Sequence, residues 1–151
     1  MTRIKYNQSD VELLARLIRT EAEAEGQRGM LSVGTVVINR ALVKCSDFKN
    51  VDTIREVIYQ YHGSDASFDA IQSPSFYQRA TEPHLKLARQ CLQNWRLYPA
   101  VYSLWYFNPS GAGVQNTQCP PTWYGQPYAG VWKNHCFYEP TGAECAEIYK
   151  I

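Results

Sequence analysis

The sequence predicts an α+β fold, mainly helical, with a small antiparallel sheet in the C-terminal half. Three observations predict it. Apolar residues recur at helical spacing over 9–60 and again over 81–95. Beyond Pro99 the texture changes to alternating, β-prone runs, and the 11 Tyr and 4 Trp crowd towards the same half. Helices first and strands last is the order of an α+β domain.

Residues 9–21 read as the first helix. Ser9 caps it, Glu12 reaches back to complete a capping box, and Leu14, Leu17 and Ile18 form the buried stripe. The segment from Gly26 to Gly29 then breaks the pattern. Residues 30–42 are predicted to form a buried second helix with Leu31, Gly34, Val37, Ile38 and Ala41 on one face and Gly34 admitting a close neighbour; the β-branched residues leave a strand as the alternative. A short helix over 52–60, capped by Asp52, turns Ile54, Val57 and Ile58 inward. Residues 61–74 are loop-like, with Phe68 as an isolated aromatic anchor. Thr81 caps the next helix, Pro83 sits in a first turn where its missing N–H costs nothing, and Leu85, Ala88, Cys91, Leu92 and Trp95 face inward. Residues 101–107 and 131–138 are β-prone. Asn108, Pro109, Ser110 and Gly111 turn the chain sharply, and a Gly, Pro and aromatic loop spans 120–127.

Composition narrows the function. With 151 residues, 45% hydrophobic and 19% charged, the chain fits one domain with a proper core. A net charge of +1 without long basic runs argues against nucleic acid as the main partner. No apolar stretch approaches the roughly 20 residues of a membrane span. The first residues lack the apolar segment of a secretory signal, so a soluble chain made in the cytosol is expected. The five cysteines, Cys45, Cys91, Cys119, Cys136 and Cys145, include no CxxC pair. A zinc site from His135, Cys136, Cys119 and Cys145 has no standard spacing, so no metal is expected. A Cys45 nucleophile with His62 or His84 is formally available, buried inert cysteine is the commoner fate, and cross-linking requires an oxidising layer.

Glu21 and Glu25 carry the chemistry. Steps of three and four residues place Glu21 above Leu17 and Glu25 above Glu21, while Glu23 points elsewhere. An acid at the edge of an apolar stripe is desolvated and here has a like charge nearby; both effects favour its protonated form. A carboxyl that keeps its proton suits general-acid cleavage of a glycosidic bond. The plainer reading of Glu21, Glu23 and Glu25 is a charged helix tail.

The segments 20–26, 36–40 (Val-Val-Ile-Asn-Arg), 68–71 (Phe-Asp-Ala-Ile), 106–109 (Tyr-Phe-Asn-Pro) and 135–138 (His-Cys-Phe-Tyr) together resemble the spore cortex-lytic cell wall hydrolases of the SleB and CwlJ type. The order and spacing match across nearly the whole chain, and the short length, the missing secretion signal and Cys45 to Phe48 resemble the CwlJ branch. The resemblance implies a lysozyme-like catalytic domain, spanning 1–151, that degrades cortex peptidoglycan during spore germination. It places the essential acid on Glu21 and the second glutamate of the pattern on Glu25, and it includes Asn39 among the site candidates. Glu23 and Ala24 stand where the SleB-like pattern has Arg and Gly, which removes a counter-charge. The resemblance further implies synthesis in the mother cell, deposition at the coat and cortex boundary, a spore-coat partner protein, calcium dipicolinate as activator and no cofactor.

Glycan cleavage ordinarily uses two carboxylates. Asp47, Asp65 and Asp69 lie in loop-like stretches with no spacing to recommend any of them, and Glu25 is too close along the helix to act from the far side of a sugar. A single-acid lytic transglycosylase mechanism is the leading expectation, with a muramidase next. Tyr106 and Asn108 are expected to bond acetamido groups, and Trp123, Tyr77 and Phe68 to flank sugar rings. His135 is a candidate for tuning or binding. The rival classes are an N-acetylmuramoyl-L-alanine amidase and a non-catalytic coat or glycan-binding module.

Overall fold

The computed structural model describes residues 3–93, 96–109 and 118–151. Trp95, expected on an inward helix face, and Ser110 and Gly111 of the expected turn lie outside them.

Helix α1 spans Gln8–Ala22. Its capping box starts at Asn7: the Asn7 side chain accepts from the Asp10 N–H at 2.9 Å, and Asp10 accepts from the Asn7 N–H at 3.0 Å. The Ser9 and Glu12 box is thus corrected by two residues. Glu12 is engaged instead by Arg16 Nε at 2.7 Å and the Ala80 N–H at 2.7 Å. Leu14, Leu17 and Ile18 are fully buried, as the stripe requires.

The chain then tightens into a 3₁₀ turn, Glu23–Glu25, and re-enters an α-helix, α2, over Gly26–Leu42. The break expected at 26–29 therefore falls at 23–25, and α2 is a helix, not a strand. Every residue from Gly29 to Ala41 is buried. Gly34 faces helix α4, Glu82–Leu92, so closely that a Cβ there would collide with Cys91 Sγ. Helix α3, Ile54–Ile58, is capped by Thr53 with Glu56, one residue later than the Asp52 cap expected, and buries Ile54, Val57 and Ile58 as predicted. Thr81 sits at the α4 cap position, but its hydroxyl bonds His84 Nδ1 at 2.7 Å.

The loop-like region 61–74 contains a hairpin, β1 (Tyr61–His62) with β2 (Asp65–Ala66), and the 3₁₀ turn Asp69–Gln72. Beyond α4, strand β3 is only Trp105–Phe107. The expected strand over 131–138 is split into β5 (Gln126–Trp132) and β6 (His135–Tyr138), and β4 (Thr122–Trp123) arises inside the expected loop. These four strands form one antiparallel sheet in the order β3-β6-β5-β4. Tyr106 lies opposite Phe137, and Phe107 opposite Cys136. The sheet docks on α2 through a small cluster of Val36, Ala100 and Phe137. Disulfides join Cys45 to Cys145 and Cys119 to Cys136, with Cα atoms 5.6 and 5.7 Å apart; Cys91 is a buried free thiol, pushed up to about 12 by burial. Among the described residues no helix is long and apolar enough to cross a membrane.

Candidate active site

Glu21 occupies the last turn of α1, where the helix meets the sheet. The Tyr106 hydroxyl, on β3, donates to Glu21 Oε1 at 2.5 Å. Burial raises the Glu21 carboxyl above its ordinary value, and Asp69 adds to the rise; the Tyr106 bond and the charges of His135 and Arg40 oppose it. The Tyr106 hydroxyl is itself held well above 10 by burial and by Glu21, so it remains a donor.

The 3₁₀ turn after α1 carries Glu25 out of line with Glu21. The expected stacking of Glu25 on Glu21 is therefore corrected: Glu25, 7% exposed, puts Oε2 2.8 Å from His135 Nδ1. The like charge that acts on Glu21 is Asp69 instead. The His135 and Tyr106 rings meet in a T-shaped contact with centres 5.0 Å apart, so the Glu25–His135 pair braces the tyrosine that holds Glu21. Glu23 points away and pairs with His84 at 2.6 Å.

Behind this layer lies Arg40, a residue whose role the sequence reading missed. It is buried in α2, donating from Nε to the Leu104 carbonyl at 2.7 Å and from a terminal nitrogen to Ser67 Oγ at 3.0 Å. Its guanidinium sits 4.8 Å from the Phe48 ring centre and 4.9 Å from that of Phe68. Burial lowers it to about 10, which leaves it charged at neutral pH beneath Glu21 and Tyr106.

A cleft of about 360 Å³ brings together Glu21, Arg40, Ser67, Phe68, Asp69, Tyr106, Phe107, Asn108 and His135. Past Arg40, Tyr106 and Phe107 it adjoins a second cleft of about 290 Å³ that includes Asp47 and Trp123. On the other side of Glu21 a third, of about 620 Å³, runs between the end of α1 and residues 75–84. Arg19 shapes that side by donating to the carbonyls of Ser75, Gln78 and Arg79. Glu21 thus lines two of these clefts and is the residue common to both.

Of the expected site residues, Glu21, Phe68, Tyr106, Asn108 and His135 share one cleft and Trp123 lines the next. Phe68 is 3% exposed and sits under Arg40, so it is floor to the cleft and not a flanking face. Tyr77 lines neither cleft that Glu21 enters; its hydroxyl donates to the Ile71 carbonyl at 2.5 Å. Asn39 is fully buried. Its amide donates to the carbonyls of Ala100, Val101 and Ser103, and its oxygen accepts from Arg3 at 2.6 Å, which fixes the loop leading into β3. Asp65 is exposed on β2, Asp47 lies in the second cleft, and Asp69 alone of the three shares a cleft with Glu21. Among the described residues the grouping with metal-ligand side chains is Cys45, Cys145 and Glu147, whose sulfurs are joined in a disulfide. Cys119 and Cys136 are likewise bonded to each other, so neither the zinc set nor a Cys45 nucleophile is assembled.

The Cell Wall Hydrolase family profile matches residues 24–138. The chain is similar to the cell wall hydrolase CwlJ of Oceanobacillus iheyensis, with 47% identity over 150 residues that cover 99% of this chain and 100% of that protein. It is similar to CwlJ of Bacillus subtilis, with 46% identity over 149 residues, 99% of this chain and 98% of that protein. Among solved structures, the catalytic domain of the germination-specific lytic transglycosylase SleB from Bacillus anthracis matches with a TM-score of 0.67 and 23% identity, covering 89% of this chain and 97% of that one. That likeness bears out the lysozyme-like α+β fold. With the profile spanning most of the sequence and relatives nearly half identical along their whole length, the chain belongs to the cell wall hydrolase family.

Proposed function

We propose that this chain cleaves the glycan strand of spore cortex peptidoglycan during germination, with Glu21 as the acid, by the lytic transglycosylase route. One observation carries the reading: a buried carboxyl, raised by desolvation and held by a tyrosine hydroxyl, stands where two clefts meet. Family membership and the likeness to a lytic transglycosylase catalytic domain support it.

Tyr106 holds Oε1, so the proton to be delivered belongs on Oε2. Glu21 gives it to the glycosidic oxygen as positive charge grows on the muramic acid ring. The carboxylate so formed then takes the proton of that sugar's own 6-hydroxyl, whose oxygen closes on the anomeric carbon. The product is a 1,6-anhydro end, no water is consumed, and Glu21 ends protonated as it began. Arg40, beneath the pair, favours the ionised stage, and burial favours the protonated one. Asn108, which lines the same cleft, would bond an acetamido group of the substrate.

A muramidase reading is favoured by one observation, that Asp69 shares the cleft with Glu21. Mass spectrometry of fragments from purified cortex tests both. Anhydro ends, one water lighter than reducing ends, that persist in Asp69→Asn and vanish in Glu21→Gln support the transglycosylase; reducing ends lost in both variants support the muramidase. Cleavage surviving in Glu21→Gln overturns the reading. Release of new L-alanine amino groups would instead mark an amidase. Deposition at the coat and cortex boundary by a coat protein, after synthesis in the mother cell, and activation by calcium dipicolinate belong to the same proposal; repeating the digestion with and without calcium dipicolinate tests the last.

A further inference from the structure

We propose that the tip of the β4–β5 hairpin, Trp123 and Tyr124, is a distal sugar-binding platform that holds a pyranose ring of the same glycan strand in the cleft beyond Arg40. This deepens the glycan-cleaving reading and rests on it for the polymer that fills the groove.

The first observation is a costly choice of residue. β4 and β5 are joined by a two-residue turn, Tyr124–Gly125, with φ of 47° and 85°. Both positions are left-handed, the geometry that favours Asn-Gly. Gly125 meets that demand freely, whereas a tyrosine's Cβ is strained there. Nor is the strain offset by burial, because Tyr124 is 85% exposed. Strain held at an exposed aromatic beside a cleft points to binding.

The second observation is rigidity. Trp123 stacks on Phe107 with ring centres 4.0 Å apart, and Phe107 stacks on Tyr138 at 5.7 Å. The Tyr138 hydroxyl in turn donates to the Pro120 carbonyl at 2.8 Å, tying the approach to β4 to the sheet. Tyr124 packs on Trp123 in a T-shaped contact with ring centres 4.7 Å apart. Trp123 is therefore fixed before any ligand arrives, which lowers the ordering cost of binding.

The third is the chemistry and continuity of the cleft. Asp47, His62 and Gln126 line it with Trp123 and Tyr124, and Arg40, Tyr106 and Phe107 are shared with the cleft that holds Glu21. A pyranose offers an apolar C–H face to the rings and a polar edge of hydroxyl or acetamido groups to the carboxylate, imidazole and amide. A strand threaded past Glu21 runs into this cleft without leaving the groove.

Tyr124→Asn separates binding from structure, because Asn tolerates the left-handed backbone but has no ring. In the Glu21→Gln background we expect chitotetraose to bind roughly ten-fold more weakly when Tyr124 is Asn, with chitobiose binding less affected and the thermal midpoint unchanged or raised. Tyr124→Phe should retain the affinity. Chitotetraose should shift the Trp123 indole N–H resonance in the parent. Equal chitotetraose affinity with Asn and Tyr at 124, or no binding by the parent, overturns the platform. These results are read without catalysis, so they stand apart from the cleavage outcomes that decide the role of Glu21.

Discussion

The helical half and the sheet are held together by different means. Around α2 the packing is apolar and continuous: α1, α3 and α4 surround it, and the Gly34–Cys91 approach leaves no room for another methyl group. The sheet consists of strands two to seven residues long, held by their backbone ladder, a disulfide and stacked rings. The difference teaches a division of labour. The helices supply a rigid frame and one acid at its edge, and the sheet supplies the hydroxyl, imidazole and aromatic rings around that acid. Chemistry sits at the seam because neither half carries the whole set.

The largest effect should come at the seam itself. Glu21→Gln should lower cortex cleavage by roughly 10²–10⁴-fold, measured by fragment release. The same variant should be more stable than the parent at neutral pH. Burial raises the Glu21 pKa above 4.5 in the folded chain, so ionisation costs the parent stability as pH rises from 4.5 through the raised value. Gln does not ionise, so the gain should disappear as pH falls below that window; thermal melts across pH check it.

Within the frame, Gly34→Ala should cost about 1–3 kcal/mol in urea unfolding, because its methyl meets Cys91 Sγ. Adding Cys91→Ala should restore much of the loss. Folded protein of either variant should retain the catalytic pH profile, which would keep frame and chemistry separate. On the sheet side, Tyr106→Phe should lower stability at neutral pH, because buried Glu21 loses its donor, and should move the alkaline limb of activity upward, because the lost hydrogen bond favoured ionised Glu21. A downward shift would mean that Tyr106 does not act on Glu21 through that bond. The smallest effect is expected far from the seam: Arg89→Ala breaks an exposed pair with Glu82 and should cost no more than about 1 kcal/mol, with activity unchanged.

The same division explains what the sequence made legible. The helices announce themselves by spacing, and their inward residues were readable one by one. Their caps were misplaced by one or two residues because Asn7 with Asp10 and Thr53 with Glu56 compete with Ser9 and Asp52 using the same chemistry. The sheet was harder. Lys133 adopts φ of 50° in the two-residue Lys133–Asn134 turn between β5 and β6; Asn134 is a turn residue, but without a glycine beside it the signal is weak, and the two strands read as one. The β1–β2 hairpin did have a signal, Gly63-Ser64 between short strands. At the site, Glu21 was legible from its place on the helix and from family resemblance. The partnership of Glu25 with His135 crosses more than a hundred residues and no local pattern encodes it. Arg40 does leave a trace, a charge between the apolar residues Val36 to Ile38 and Ala41 to Leu42 of α2.

The Cys45–Cys145 bond closes a ring of chain 100 residues around, and every groove residue from Asp47 to His135 belongs to it. A protease that nicks an exposed point in that ring, such as the β1–β2 hairpin, opens the loop without parting the molecule. Damage of that kind stays invisible on a gel until a reductant is added, and the two severed walls remain tethered to one another.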